Sequence, residues 1–273
     1  QAATVYAVPG FPVSGLASLT GASLVINEKT ALEFAIGDSL TGKRACVIVK
    51  HVGMNALADP LVHATFQGIA GGVVIVCGDD ETARNTMTSQ DSRCYGPVAR
   101  IPVIEASGPG SLAEAFAASE EYSRVCLLRV TPGFLDARLD SMPDSRIPPR
   151  RRHTGFLADP DLTMYGRAVR AAAATPGMET AGLVPLPHPP LPRVHAPTRR
   201  SERGNTLSLC TDCPFRGLFH LMRDKGLSAL CDTGCSLIAM NPPFSFGLAS
   251  YGMGSAVAVA ARSSQVALIG NYG

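Results

Sequence analysis

Three short runs of this chain are almost wholly apolar: Ala45-Cys46-Val47-Ile48-Val49, Gly72-Val73-Val74-Ile75-Val76-Cys77 and Val125-Cys126-Leu127-Leu128-Arg129-Val130. Runs so short and so continuous suit strands covered on both faces, because a strand with one wet face alternates apolar and polar residues. Val5 to Val8 reads as a further strand, leading into the turn Pro9-Gly10-Phe11-Pro12. Ile101 to Glu105 reads as another, followed by a helix from Ser111 to about Ser119. Buried strands that alternate with helices dictate an α/β fold, a parallel sheet with helices on both faces. Ligands of such sheets bind beyond the carboxyl ends of the strands. That places candidate binding loops at residues 50–55 and 78–93.

The helix before the first of these runs spans residues 27–40. Asn27 is a good N-cap, since its side chain can accept a bond from a free N–H of the first turn. Ala31, Leu32, Ala35 and Ile36 form an apolar stripe, and Gly42 is a plausible stop. Glu28 lies on the same side as the stripe. Taken alone, it is explained by the helix dipole, which favours a negative charge at this end.

The chain has 273 residues, 46% of them hydrophobic and 17% charged, which suits a globular protein with a buried core. A net charge of +2 is too small to imply a nucleic-acid partner. No apolar run is long enough to span a membrane, and Gln1 does not open a charged-then-apolar signal. Three regions follow from composition: 1–133, α/β in pattern; 134–205, rich in Pro and Arg; and 206–273, globular again. The middle region reads as an extended connector with a short helix near 162–174, and Arg150-Arg151-Arg152 as part of a solvated linker. The final strand stops where a loop should begin.

Of the eight cysteines, Cys46, Cys77 and Cys126 sit in strand-like runs and behave as small hydrophobes. Cys210, Cys213, Cys231 and Cys235 cluster in sequence, which indicates metal or cluster binding rather than a disulfide framework. By spacing alone zinc is the first choice.

The stretch "INEKTALEFAIGDSLTGKRACVIVKHVGMNALADPL" resembles the pyrimidine-binding domain of the large (alpha) subunit of indolepyruvate:ferredoxin oxidoreductase, of the 2-oxoacid:ferredoxin oxidoreductase superfamily. The resemblance continues at Val73 to Val76 with Asp79-Asp80, at Ser89-Gln90-Asp91-Ser92-Arg93 and at Ile101-Pro102-Val103, and "AVPGFP" is similar to the family's YPGTP turn. "LCTDCPFRGLF", "CDTGCSL" and "YGMGSAVAVA" are similar to blocks that open the same subunit's diphosphate-binding domain.

This resemblance implies a thiamine diphosphate-binding fold with one pyrimidine-type domain (1–133) and part of a diphosphate-type domain (206–273). It implies that Glu28 bonds the cofactor's aminopyrimidine and promotes proton removal from the thiazolium, and that His51 is a second catalytic candidate. Pro9, Gly10, Gly53, Asn55, Gly252, Gly254 and Gly270 become cofactor-binding candidates, and Asn271 a magnesium candidate. Cys210, Cys213 and Cys235 match three ligands of a [4Fe-4S] cluster, with Cys231 as a substitute fourth ligand. The implied reaction is oxidative decarboxylation of an indolepyruvate-type 2-oxo acid to an acyl-CoA, with electrons passed to ferredoxin, in the cytoplasm, beside a second (beta) subunit.

Four departures bear on that reading. Phe11 stands where the family has Thr, Phe215 where it has His, and Asn271 where it has a magnesium-binding Asp. The chain also stops before a downstream magnesium ligand and a fourth cluster cysteine. The alternatives are a truncated or non-catalytic paralogue acting as a binding or assembly subunit, and a thiamine-dependent lyase without electron transfer.

Overall fold

Along β3 (Ala45–Lys50) successive side chains take opposite faces of the sheet: Ala45, Val47 and Val49 join one core, Cys46 and Ile48 the other. The same division runs through β4 (Val73–Gly78) and β6 (Cys126–Val130). The computed structural model describes residues 2–83, 85–86, 88–138, 163–184, 199, 208–232, 234–252 and 254–269. With β1 (Thr4–Ala7), β2 (Ser23–Leu24) and β5 (Val103–Glu105), these strands form a six-stranded sheet in the order β2-β1-β3-β4-β6-β5. Every pairing is parallel. The α/β expectation holds.

Helices α2 (Glu28–Leu40), α3 (Gly53–Gln67) and α4 (Tyr95–Ala99) cover one face. Helices α1 (Ser14–Leu19) and α5 (Ser111–Tyr122) cover the other, and the short α6 (Pro132–Asp136) follows β6 on that side. Asn27 caps α2 as expected, its side chain accepting from the Thr30 N–H at 2.9 Å. The polar stretch 50–55 is not a loop, however. The chain turns at His51 and Val52 and enters α3 directly at Gly53. Gly53, Asn55 and Pro60 are weak helix formers, and burial of Met54, Leu57 and Leu61 overrides that preference.

The span read as a connector contains α7 (Met164–Thr180), longer than the short helix expected and packed on the sheet domain. The buried Arg124 guanidinium donates to the carbonyls of Arg100 and Ala171, and burial lowers its pKa to about 10. The Val103 N–H donates to the Leu183 carbonyl at 2.7 Å, which ties down the chain beyond α7.

Residues 208–269 build a second, smaller parallel sheet. Its order is β8 (Gly247–Ala249), β7 (Ala229–Cys231), β9 (Val266–Leu268). Phe219 from α8 (Arg216–Asp224) packs edge-on against Phe244 and Phe246 in its core. Helix α9 (Ser255–Ser263) joins this unit to the first by running beside α2. Ser255 donates to the Glu33 carboxylate at 2.5 Å, and Arg262 Nε lies 3.4 Å from Asp38 Oδ1. Between these contacts the two helix backbones approach closely, and a Cβ on Gly37 would lie 2.4 Å from the Val259 carbonyl oxygen. Among the described residues no helix is long and apolar enough to cross a membrane.

Glu33 makes this junction pH-sensitive. Burial raises its pKa above the ordinary 4.5, with Asp59 and Asp232 adding to the rise, while the Ser255 bond and Lys29 oppose it. The folded chain therefore holds this proton more tightly than the unfolded chain. The associated stability is fully present below the ordinary pKa and is lost as pH climbs through the raised one. Glu33→Gln is expected to remove that loss and be more stable than the parent at pH 7. Urea unfolding from pH 4 to 7 measures it, and an unchanged slope above 4.5 contradicts the assignment.

Candidate functional site

The order of the large sheet reverses at β1, with β2 on one side and β3 on the other. A crevice opens at such a reversal, outside the carboxyl ends of the two strands. The segments that follow β1 and β3 carry Pro9 and Gly10, and His51 and Gly53. Pro9 is exposed and Gly10 half-buried. A Cβ on Gly10 would lie 2.6 Å from Cδ of Lys50, so the first turn rests on the Lys50 stem.

Glu28 reaches the same crevice from the first position of α2. It is half-buried, and its side chain lies across the start of α3. A Cβ on Gly53 would be 2.6 Å from Glu28 Cγ and 2.8 Å from Glu28 Oε1. No larger residue fits there while the carboxylate keeps its place.

His51 is fully buried. Its Nε2 is 3.0 Å from the Thr88 carbonyl oxygen, and its Nδ1 is 3.4 Å from that of Gly78. Its own carbonyl accepts from Gln90 Nε2 at 3.0 Å. The ring thus fastens Thr88 to the end of β4, with both nitrogens facing carbonyl oxygens. In this structure the ring anchors that loop. Asn55 is exposed and belongs to the same network: it donates to Gln90 Oε1 at 3.0 Å and accepts from the Tyr95 hydroxyl.

The sequence reading missed the charge network that holds this loop. Asp79 is buried and accepts from the Ser92 N–H at 2.9 Å, the Ser92 hydroxyl at 2.5 Å and Arg129 Nε at 2.6 Å. Arg129 also pairs with Glu81 and Glu105. Burial acts to lower the Arg129 pKa, but the carboxylates, Asp79 foremost, outweigh it and hold the guanidinium above its ordinary value. The available signal was an arginine inside an otherwise apolar run.

On the small sheet, Gly252 is buried with φ 106°, and a Cβ there would lie 2.6 Å from Asp59 Oδ2. Gly254, at φ 79°, stands immediately before α9. Its N–H donates to both carboxylate oxygens of Asp232, at 2.8 and 3.0 Å. Asp232 and Asp59 were not foreseen. Gly270 and Asn271 lie outside the described residues.

Cys210, Cys213 and Cys235 line one pocket of about 320 Å³, beside Asp212 and Phe215. The structure thus brings the three cysteines together, yet among the described residues no three His, Cys, Asp or Glu side chains are grouped closely enough to hold a metal ion. Cys231 is no substitute ligand. It belongs to β7 and the apolar core of the small sheet, where burial pushes its pKa up to about 12.

No family model matches the chain. It is 44% identical over 100 residues to indolepyruvate oxidoreductase subunit IorA of Archaeoglobus fulgidus, covering 37% of this chain and 15% of that one. To the subunit of the same name from Thermococcus kodakarensis it is 34% identical over 142 residues, covering 49% and 22%. To that of Pyrococcus horikoshii it is 33% identical over 146 residues, covering 50% and 22%. The matched part therefore spans less than a quarter of each of these relatives.

Among solved structures, a 2-oxoglutarate:ferredoxin oxidoreductase from Magnetococcus marinus aligns with a TM-score of 0.39 and 15% identity, covering 48% of this chain and 26% of that one. A benzoylformate decarboxylase from Polynucleobacter necessarius aligns with a TM-score of 0.47 and 16% identity, covering 54% and 30%. Over as much as half its length, the chain is similar in sequence to indolepyruvate oxidoreductase subunit IorA, the family that the motifs of residues 26–61 resemble.

Proposed function

We propose that this chain supplies the aminopyrimidine-facing half of a thiamine diphosphate site in a 2-oxoacid:ferredoxin oxidoreductase subunit of the indolepyruvate type. The observation that carries this reading is the Glu28 carboxylate, half-buried at the β1/β3 crevice and laid against Gly53. The residues on this side fit the cofactor: a carboxylate at the crevice, a neighbour without a side chain, and a turn at Pro9 and Gly10. On the small sheet, the Gly254 N–H is bonded to Asp232.

When bound, thiamine diphosphate supplies the electron sink for loss of carbon dioxide from a 2-oxo acid. The chain's part is proton control and placement. Glu28 places a carboxylate at the crevice, where it can hydrogen-bond a bound base. Gly53 lets that carboxylate lie flat on α3, and any side chain there displaces it. His51 and Asn55 hold Thr88 and Gln90 beside the end of β3. The three cysteines of the open pocket are offered for an iron–sulfur cluster whose full ligand set the described residues do not supply. Coenzyme A, ferredoxin, a beta subunit, magnesium and a cytoplasmic setting belong to the same proposal.

The test is calorimetric titration of the anaerobic chain with thiamine diphosphate and Mg²⁺. Glu28→Gln keeps the shape but cannot pass a proton as a carboxyl does, and it is expected to weaken binding about tenfold, or ~1.4 kcal/mol. Equal binding by parent and variant removes Glu28 from the site. No binding by either leaves a relative that keeps the fold without the cofactor.

A further inference from the structure

The carboxyl end of β3 carries a cation, Lys50, that the fold holds by its stem alone. Lys50 is the last residue of the strand, and by alternation its side chain follows Cys46 and Ile48 onto the face covered by α1 and α5. Among the described residues no hydrogen bond or ion pair engages its ammonium. The arginines of the neighbouring strand ends are engaged: Arg129 with Asp79, Glu81 and Glu105, and Arg93 with Asp91 and Glu105. His51, the next residue, faces two carbonyl oxygens.

The turn after β1 fixes that stem. A Cβ on Gly10 would lie 2.6 Å from Lys50 Cδ, 3.0 Å from its Cγ and 3.2 Å from its Cβ, so the turn runs along the side chain. The same turn continues over Gly78, the register partner of Lys50 on β4, where a Cβ would be 2.7 Å from Pro12 Cδ and Val13 Cγ1. Lys50 is half-buried as a result. A lysine left in water loses much rotamer freedom when a ligand orders it. Here the fold has already ordered the carbons, and an arriving anion meets a cation in place.

The opposite charge lies across the strand. Glu28 comes from α2, which covers the other face, and rests on Gly53, three positions beyond Lys50. The end of β3 thus separates a positive from a negative group. An anionic 2-oxo acid entering this crevice is drawn to one side and repelled from the other, which sets the direction it takes. We propose that Lys50 binds the carboxylate of the 2-oxo acid and turns it away from Glu28. This rests on the proposed cofactor reading and adds the group that recognises the acid end of the substrate. An ester of the same acid lacks the charge, so the preference for acid over ester measures the contact.

The experiment titrates the full anaerobic chain with phenylpyruvate and with its methyl ester, both without cofactor so that nothing is consumed, and separately with thiamine diphosphate and Mg²⁺. The parent is expected to prefer the acid to the ester at least about tenfold, the yield of one charge-assisted hydrogen bond. Lys50→Met keeps an apolar stem and removes the charge. Its preference is expected to fall below about twofold, with ester affinity unchanged and thiamine diphosphate affinity within about threefold of the parent's. Lys50→Arg is expected to keep most of the preference.

No saturable phenylpyruvate binding by the parent up to about 10 mM overturns the inference, as does a folded Lys50→Met that keeps the preference. A Lys50→Met that loses thiamine diphosphate to the same degree as the acid also overturns it, since the lysine then serves the cofactor. If Lys50→Met does not fold, Gly10→Ala decides: its methyl displaces the Lys50 stem, and an undiminished preference for the acid overturns the assignment. Failure of every form to bind thiamine diphosphate defeats the cofactor reading instead. A preference for acid over ester that vanishes with Lys50 would still uphold the carboxylate site in that case.

Discussion

Arg129→Met is expected to destabilise the fold by about 3–5 kcal/mol, because it strips a buried carboxylate of its counter-charge. The Asp79 side chain has no exposure and the Arg129 side chain only 5%, with Nε and Oδ2 2.6 Å apart. Without the guanidinium, Asp79 keeps the two bonds from Ser92 and a long contact from the Cys77 thiol at 3.7 Å. The outer pairs of Arg129 matter less, since the side chains of Glu81 and Glu105 are 57% and 56% exposed and water screens them.

Urea unfolding of Arg129→Met, Asp79→Asn and the double variant measures the coupling. The double variant is expected to recover much of the loss, since no uncompensated charge remains inside. A single-variant loss under about 1 kcal/mol would show that the pair is not what holds the 79–91 segment. Crevice geometry should suffer with it, because His51 is anchored to Thr88 of that segment.

Gly37→Val is expected to cost about 3 kcal/mol and to lift α9 from α2. The new Cβ would stand 2.4 Å from the Val259 carbonyl oxygen and 2.7 Å from Arg262 Cβ. The first of these is backbone, so no rotamer change relieves it. Separation would open the Glu33–Ser255 bond and the Asp38–Arg262 pair together. Chemical unfolding gives the energy, and amide hydrogen exchange along residues 255–263 shows whether the helix has come away. Full protection with a loss below about 0.5 kcal/mol would refute the close packing.

Much of this fold is legible in the chain because its main strands state their burial locally. Ala45–Val49 and Val73–Val76 admit no exposed face, and Asn27 announces α2 by itself. Helix α3 was hidden for a local reason too: Gly53, Asn55 and Pro60 argue against a helix, and only packing against α2 and the sheet outvotes them. The two residues of β2, both exposed, carry no pattern at all.

The site divides the same way. Glu28 was found by its resemblance and position, and the structure places it at the crevice. Its contact with Gly53 joins residues on two different helices, which no periodicity reveals. His51 looked like chemistry because its loop lay at a strand end; the carbonyls that surround it come from Gly78 and from Thr88 of the following loop. Cys231 looked like a ligand by spacing, but the strand turns its sulfur inward.

The α2–α9 contact has a kinetic consequence. Glu33 and Ser255 are 222 positions apart, whereas the pairings of β3 with β4 join residues close along the chain. Closing so long a span is slow, although lengthening it further adds little, about 0.6 kcal/mol per doubling. The large sheet can therefore collapse first from its near neighbours and present the α2 face as a finished template. The small unit then arrives late, as a pre-built piece seeking one groove. Until it does, Glu33, Gly37 and Asp38 face water, and the nascent chain is most vulnerable to mispairing during that interval.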